Sequence, residues 1–372
     1  METIKTFGGL TQVELSEATG LSAATVSTLV KQLTSTGLLN TRPTSRSGRR
    51  ARMVTLAPHT GLAAGVHIGD RNLRIILGDF NHDVLADRSM PLPQDHPIDT
   101  VLDRVALLIV DMLEIVGSTL EELAGITIGM PAPVDTSTGV LSVRGLLPGW
   151  DDEHIGAVMT KRLGRPVYVE NDANLAALAE VMIGATRPVL DSVYVRASYG
   201  TGAGVVLGGR VYRGFAGTAG EIGHVQVDPG GAICRCGRRG CLNTVVGSEA
   251  LLTALRASHG PLTLRDVVTR ATTGDPGCSR VLTDAARAIG RVVAGLCQSL
   301  NPQVVCIGGE LAEAEEAFLA PLTDTVQEHM LPNQVAPTEV VTSSLAGDDV
   351  VMGGLIHVLE STDFFTHGGD QQ

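Results

Sequence analysis

Aromatic side chains are scarce in this sequence: one Trp, four Tyr and six Phe make up 3% of 372 residues. The interior must therefore be built from aliphatic residues, and at 44% hydrophobic the chain has enough of them for a large core. No apolar run reaches the roughly 18 residues needed to cross a bilayer, which excludes a membrane-spanning helix. The opening METIKTFGGLTQ lacks the charged and apolar regions of a secretion signal, so the expected location is the cytoplasm. Cysteine is limited to six residues, and Cys278, Cys297 and Cys306 stand apart in apolar or helical surroundings. That pattern reads as reduced core thiols and excludes a disulfide framework.

Positive charge is also short, with a net of −12, but it is unevenly spread. Residues 1–60 carry seven Lys and Arg against three Glu, a net of +4, which leaves −16 on the remainder. A basic head on an acidic body is expected if only the head approaches a polyanion. The length suggests two or three domains.

Within the head, Leu10–Gly20 places Val13, Leu15 and Ala18 at near-helical spacing and stops at a glycine. Ser22 can cap a second helix, Ala23–Thr36, whose Val26, Leu29, Val30 and Leu33 form one stripe before Gly37. Helix, short turn, helix is the helix-turn-helix pattern, in which the second helix enters the major groove. Its other face offers Ser22, Ala24, Thr25, Ser27, Thr28 and Lys31 for phosphate and base-edge contacts. Leu38–Thr41 and Arg52–Leu56 read as a β-ribbon around the tip RPTSRSGRR, where Arg46, Arg49 and Arg50 would meet the DNA backbone. The sum is a winged helix with a cationic wing, and only Met1–Gly9 is available for the helix that normally precedes the pair.

The segment AGEIGHVQVDPGGAICRCGRRGC brings one imidazole and three thiols close together in sequence. His224, Cys234, Cys236 and Cys241 would make a closed tetrahedral zinc shell with no position left for water, a structural and not a chemical metal. The remaining chain alternates strands and helices. Hairpin strands Leu62–Ile68 and Leu73–Asp79, helix Thr100–Val116, strand Ile126–Met130, a helix from near Asp151, strand Val167–Glu170 and a helix from near Ala173 come first. Strands Val193–Ser198 and Gly204–Leu207, helix Pro276–Leu300, strand Val304–Ile307 and helix Ala312–His329 follow, so the body is α/β. Asn171 and Asp172 stand where a strand meets a helix, a usual place for a cleft residue, although Asp172 could simply cap that helix.

These stretches, with GVHIGDRNLRIILGDF, GMPAPVD, VENDAN, GTGAGVVLGGRVYRG, AGEIGH, CRCGRRGCL and CIGGEL in that order, resemble the ROK family of repressors, open reading frames and sugar kinases. The resemblance implies an actin-like (ribonuclease H-like) two-lobed body behind the winged helix-turn-helix domain. The expected division is residues 1–60 for the head, 61–170 for a first lobe and 171–372 for a second, with the C-terminal helix returning to the first. It implies a sugar held between the lobes, with Asn171, Asp172, Glu221, His224 and Asn243 at the contact positions, Asp172 matching the kinase general base. His224 would then serve zinc through one nitrogen and the sugar through the other, so the metal stiffens the sugar site.

Departures from the family separate a regulator from an enzyme. Where ROK kinases have an Asp followed by a Gly, Gly, Thr phosphate turn, this chain has His67, Ile68, Gly69, Asp70 and Arg71. Phosphoryl transfer depends on positioning and charge neutralisation, so little or no kinase activity is expected. Gly200–Gly204 could form a second phosphate loop or merely close a hairpin. After Cys241–Leu242, Asn243 stands where the family usually has a Glu that grips the sugar, which leaves the sugar open. The expected function is a sugar-responsive transcription regulator, commonly a repressor, acting on operator DNA as a homodimer or homotetramer. The alternatives are an ATP-dependent sugar kinase carrying a DNA-binding head, and a regulator controlled by a protein partner.

Overall fold

The computed structural model describes residues 2–46, 49–57, 61–93, 97–331, 336–345 and 347–361, with only the backbone described at residues 2, 5, 6, 45, 46, 49 and 50. The chain divides into two compact units, one of residues 1–129, 155–168 and 354–372, the other of residues 130–154 and 169–353. The chain therefore passes between units four times, where the sequence suggests a change at residue 170 and a return of the C-terminal helix.

The head opens the first unit with α1 (Glu2–Phe7), β1 (Leu10–Thr11), α2 (Gln12–Thr19), α3 (Ala23–Ser35), β2 (Leu39–Arg46) and β3 (Arg49–Leu56), its sheet ordered β1-β3-β2. The expected first helix begins two residues late because Leu10 and Thr11 pair with Val54 and Met53. Thr11 and Glu14 then form a reciprocal capping box: the Thr11 amide donates to Glu14 Oε2 at 2.8 Å and the Glu14 amide donates to Thr11 Oγ1 at 3.4 Å. Thr11→Ala is expected to cost the head about 0.5–2 kcal/mol, measured as a lower urea midpoint. Ile4, Leu10, Leu15, Val26, Val30, Leu39, Val54 and Leu56 form its core, whereas Val13 and Leu29 lie on the surface, 67% and 42% exposed. Ala18 is exposed as well, and these three residues correct the expected apolar stripes. The ribbon is longer than its apolar residues suggested, with Pro43 opposite Arg52, and proline is tolerated because β2 is an edge strand.

The body begins with β4 (Leu62–Ile68), β5 (Asn72–Asp79), β6 (Val84–Pro91), α4 (Ile98–Ile115), β7 (Leu123–Met130), β8 (Val134–Asp135), β9 (Val140–Leu141), α5 (Ile155–Leu163) and β10 (Val167–Asn171). Strands order as β10-β7-β4-β5-β6, with β4, β5 and β6 antiparallel and β7 parallel to β4. On α4, Val101, Leu102, Val105, Ile109, Met112 and Leu113 fall on one buried face, the 3.6-residue pattern of an amphipathic helix. α5 starts four residues after the expected Asp151, because Asp151 accepts from the Gly145 amide and Asp152 takes a left-handed φ of 64°.

The chain continues through α6 (Asp172–Ile183), β11 (Ser192–Ala197), β12 (Thr201–Leu207), β13 (Arg210–Tyr212), α7 (Asn243–Val246), α8 (Ser248–His259), α9 (Leu264–Thr272) and α10 (Pro276–Leu300). It ends with β14 (Val304–Gly308), α11 (Glu316–His329), β15 (Glu339–Thr342) and α12 (Asp349–Ser361). The second sheet is ordered β13-β12-β11-β14-β15, again an antiparallel meander of three strands joined to two parallel ones. The same plan thus occurs twice, which is the actin-like two-lobed α/β body expected. A β-carbon on Gly204 would lie 2.3 Å from the Ala173 carbonyl oxygen, so β12 and the start of α6 pack backbone to backbone. The expected helix Ala312–His329 is interrupted at Glu315, whose φ of 49° separates a 3-10 turn, Glu310–Ala314, from α11. Among the described residues no helix is long and apolar enough to cross a membrane.

Candidate functional site

In the second unit, β10 hands the chain directly to α6, and the residues at that junction are buried. Asn171 caps α6 by accepting from the Asn174 amide at 3.1 Å, and its Nδ2 donates to the Ala132 carbonyl at 3.1 Å. Its side chain therefore locks the helix start to the 131–135 turn. Asp172 is the first residue of α6, and its Oδ2 accepts from Arg196 Nε at 2.9 Å. Both side chains are nearly enclosed, 9% exposed for Asp172 and 11% for Arg196. Burial alone would lower the guanidinium pKa, but Asp172, with Glu310, Asp349 and Tyr194, more than reverses this and raises it. Arg196 stays a cation.

A second ion pair lies beside the first. Glu170, 1% exposed, accepts from Arg213 Nε, from Asn174 Nδ2 at 3.0 Å and from the Asn171 amide at 2.9 Å. Arg196, Glu170, Asn174 and Arg213 are not among the site residues that the sequence singles out. A charged residue inside the otherwise apolar strand SVYVRA was the available signal, since an arginine in a buried strand requires a partner. Asn174 Oδ1 and Thr201 Oγ1 are buried without a hydrogen-bond partner, so this neighbourhood retains polar atoms that a hydroxylated ligand could satisfy.

Glu221 approaches from the 3-10 turn at Ile222–His224, and burial, reinforced by the charge of Asp172, pushes its carboxyl pKa up to about 7. His224 Nε2 is 3.9 Å from Glu221 Oε2, while its Nδ1 is 3.4 Å from Cys234 Sγ. Cys236 Sγ and Cys241 Sγ are 3.6 Å apart, and the four candidate ligand atoms all lie within 4.8 Å of one another. Tetrahedral zinc with Zn–S of about 2.3 Å sets its sulfurs about 3.8 Å apart, so the spacing fits a single ion. The bridges Gln226↔Cys241 and Ile233↔Arg239 fold the loop into this shape. Gly240 makes it possible: its φ is 65°, and a β-carbon there would sit 1.5 Å from the Asp228 carbonyl oxygen.

Asn243 Oδ1 accepts from the Thr201 amide at 2.8 Å, so this side chain ties the Gly-rich turn to the start of α7. In the first unit His67 is 7% exposed in β4, and the Gly69 amide donates to the Asn72 carbonyl, closing a hairpin turn. On α3, Ser22, Ala24, Thr25, Ser27, Thr28 and Lys31 are all exposed. Ser22 Oγ accepts from the Thr25 amide at 3.2 Å and Thr28 Oγ1 donates to the Ala24 carbonyl at 3.0 Å. The side chains of Arg46, Arg49 and Arg50 lie outside the described residues.

Residues 63–361 match the ROK family. The chain belongs to that family. Residues 2–51 match the MarR family, which accounts for the winged helix at the N-terminal end of this ROK chain. Over 356 residues it is 31% identical to the DNA-binding transcriptional dual regulator NagC of Escherichia coli (strain K12), covering 92% of this chain and 87% of the relative. It is 30% identical to a glucokinase of Thermotoga maritima over 304 residues, 78% of this chain and 94% of that one. Among solved structures, a ROK family transcriptional regulator described as a homolog of the E. coli MLC protein superposes with a TM-score of 0.73 at 26% identity, covering 95% of this chain and 92% of that one. The similarity to NagC and to the MLC homolog spans head and body, whereas the glucokinase match has the length of the body.

Proposed function

We propose that this ROK chain is a sugar-responsive, DNA-binding transcription repressor of carbohydrate genes, with structural zinc bracing the sugar site. The observation that carries the reading is the pairing of an exposed α3 face with a body whose kinase-base position is held by a buried arginine. A general base needs a carboxylate oxygen aimed at the hydroxyl it deprotonates. Here Oδ2 of Asp172 is already committed to Arg196. A carboxylate accepts a sugar hydroxyl whether or not transfer follows, so recognition of a sugar at this position does not require a kinase.

Asn171, Asp172, Glu221, His224 and Asn243 remain the proposed sugar positions, with Asn171 and Asn243 acting through the turns they tie down. His224, Cys234, Cys236 and Cys241 would hold the zinc, which with four protein donors has no open position and so supplies rigidity. His224 would face zinc with Nδ1 and Glu221 with Nε2, so the metal fixes the direction of the second nitrogen. A homodimer or homotetramer would present two heads to a pseudo-palindromic operator. Ser22, Ala24, Thr25, Ser27, Thr28 and Lys31 would contact the major groove, and Arg46, Arg49 and Arg50 the phosphates.

The glucokinase relative favours a second reading, a sugar kinase with a DNA-binding head. Coupled ATP turnover on hexoses, amino sugars and pentoses separates the two. No phosphorylation above background is expected from the purified chain, and turnover abolished by Asp172→Asn would reverse the order of the readings.

A further inference from the structure

β3 is the central strand of the head sheet, so the backbone groups on both of its edges need partners. On one edge the Ala57 amide donates to the Leu38 carbonyl at 3.1 Å. On the other, β1 covers Met53 and Val54 and then ends. Leu56, two residues beyond Val54, points its amide and carbonyl the same way, past the end of β1. Both are taken by one side chain: the Leu56 amide donates to Asn81 Oδ1 at 2.7 Å, and Asn81 Nδ2 donates to the Leu56 carbonyl at 3.1 Å. The carboxamide thus acts as a one-residue strand on the root of the wing.

Asn81 is itself held rigidly. Its amide donates to Asp79 Oδ1 at 2.9 Å and its Nδ2 to Asp79 Oδ2 at 3.1 Å, while the Asp83 amide donates to Asp79 Oδ1 at 3.0 Å. Asp79 ends β5, and one residue earlier a β-carbon on Gly78 would lie 2.2 Å from Leu355 Cδ1, so α12 rests on β5 without clearance. The turn between α1 and β1 touches the same place, since a β-carbon on Gly8 would stand 3.3 Å from the Asn81 carbonyl oxygen.

We infer that Asn81 is the positioning residue of the DNA-reading head: its carboxamide fastens the wing root to β5, so that displacements of the first body sheet and α12 reach α3 and the ribbon. The inference rests on the reading of the head as a DNA reader and deepens it. Any residue at position 81 lacking a paired donor and acceptor in this geometry loosens the joint. Asp at 81 keeps the acceptor for the Leu56 amide but loses the donor to its carbonyl and sets a second carboxylate against Asp79.

The test compares full-length wild type, Asn81→Ala and Asn81→Asp by hydrogen exchange and by DNA binding. Exchange at the Leu56 amide is expected to rise about tenfold or more in both variants, with exchange in α3 and β4 unchanged. The DNA probes are the duplex that wild type selects from a random-sequence library and the same duplex cut to one half-site. Asn81→Ala is expected to weaken binding to the full site about tenfold and leave the half-site unaffected, because only the full site requires two heads in register. Unchanged exchange at Leu56 would overturn the joint, and equal loss on both duplexes would overturn the positioning role. If wild type selects no duplex, the regulator reading fails, while the exchange arm still decides the joint.

Discussion

Asp172→Ala is expected to destabilise the second unit by about 3–5 kcal/mol, because it leaves the Arg196 guanidinium enclosed without its partner. The same change is expected to remove any response to sugar, since the acceptor at the proposed contact is gone. Replacing both partners by apolar residues, Asp172→Leu with Arg196→Met, is expected to restore much of the stability but none of the sugar response. Denaturant unfolding of the three proteins, followed by thermal shift in the presence of sugar, separates the two effects. Equal stability for wild type and Asp172→Ala would show that the pair carries no weight in the folded protein.

The second large effect concerns the metal. Cys241 is fully buried, and removing its thiol by Cys241→Ser is expected to reduce bound zinc from one ion per chain to near zero. Structural zinc sites contribute about 10–16 kcal/mol of apparent binding free energy in small domains, so the loop at residues 219–242 is expected to lose its fold locally. Limited proteolysis should then cut among those residues, and sugar response should fall even though none of the proposed sugar contacts has been replaced by design other than through the orientation of His224. Chelation of the wild-type protein is expected to reproduce this. Freshly purified protein that holds no metal and resists proteolysis in the loop would remove zinc from the account.

The parts of this molecule that were legible from sequence are those whose physics is local. α10 runs from Pro276 to Leu300 as expected because Asp275 caps it, Pro276 occupies its first turn and Asn301 ends it in a left-handed conformation. The four candidate metal ligands come together as their spacing suggested. The parts missed depend on partners distant in sequence. β6 carries no alternating pattern because it is an exposed edge strand, and β1 is two residues that exist only by pairing with β3. At the candidate site Asp172 was visible from the strand-to-helix junction, but its partner lies 24 positions on, and nothing near Arg196 in sequence names the carboxylate it meets. Leu29 reads as core by spacing, yet on α3 Val26 and Val30 are the buried residues and Leu29 lies exposed.

The most direct test of the whole account is a titration of DNA affinity against sugar. The full-length chain, bound to a duplex it has selected from a random library, is challenged with N-acetylglucosamine, glucose, xylose and a wider panel, without ATP. Allosteric coupling typically spans about 1–3 kcal/mol, so one sugar is expected to weaken binding about 5- to 150-fold, a partial release. A chain that selects no DNA, or one whose grip on DNA is indifferent to every sugar while it phosphorylates one of them, would contradict it.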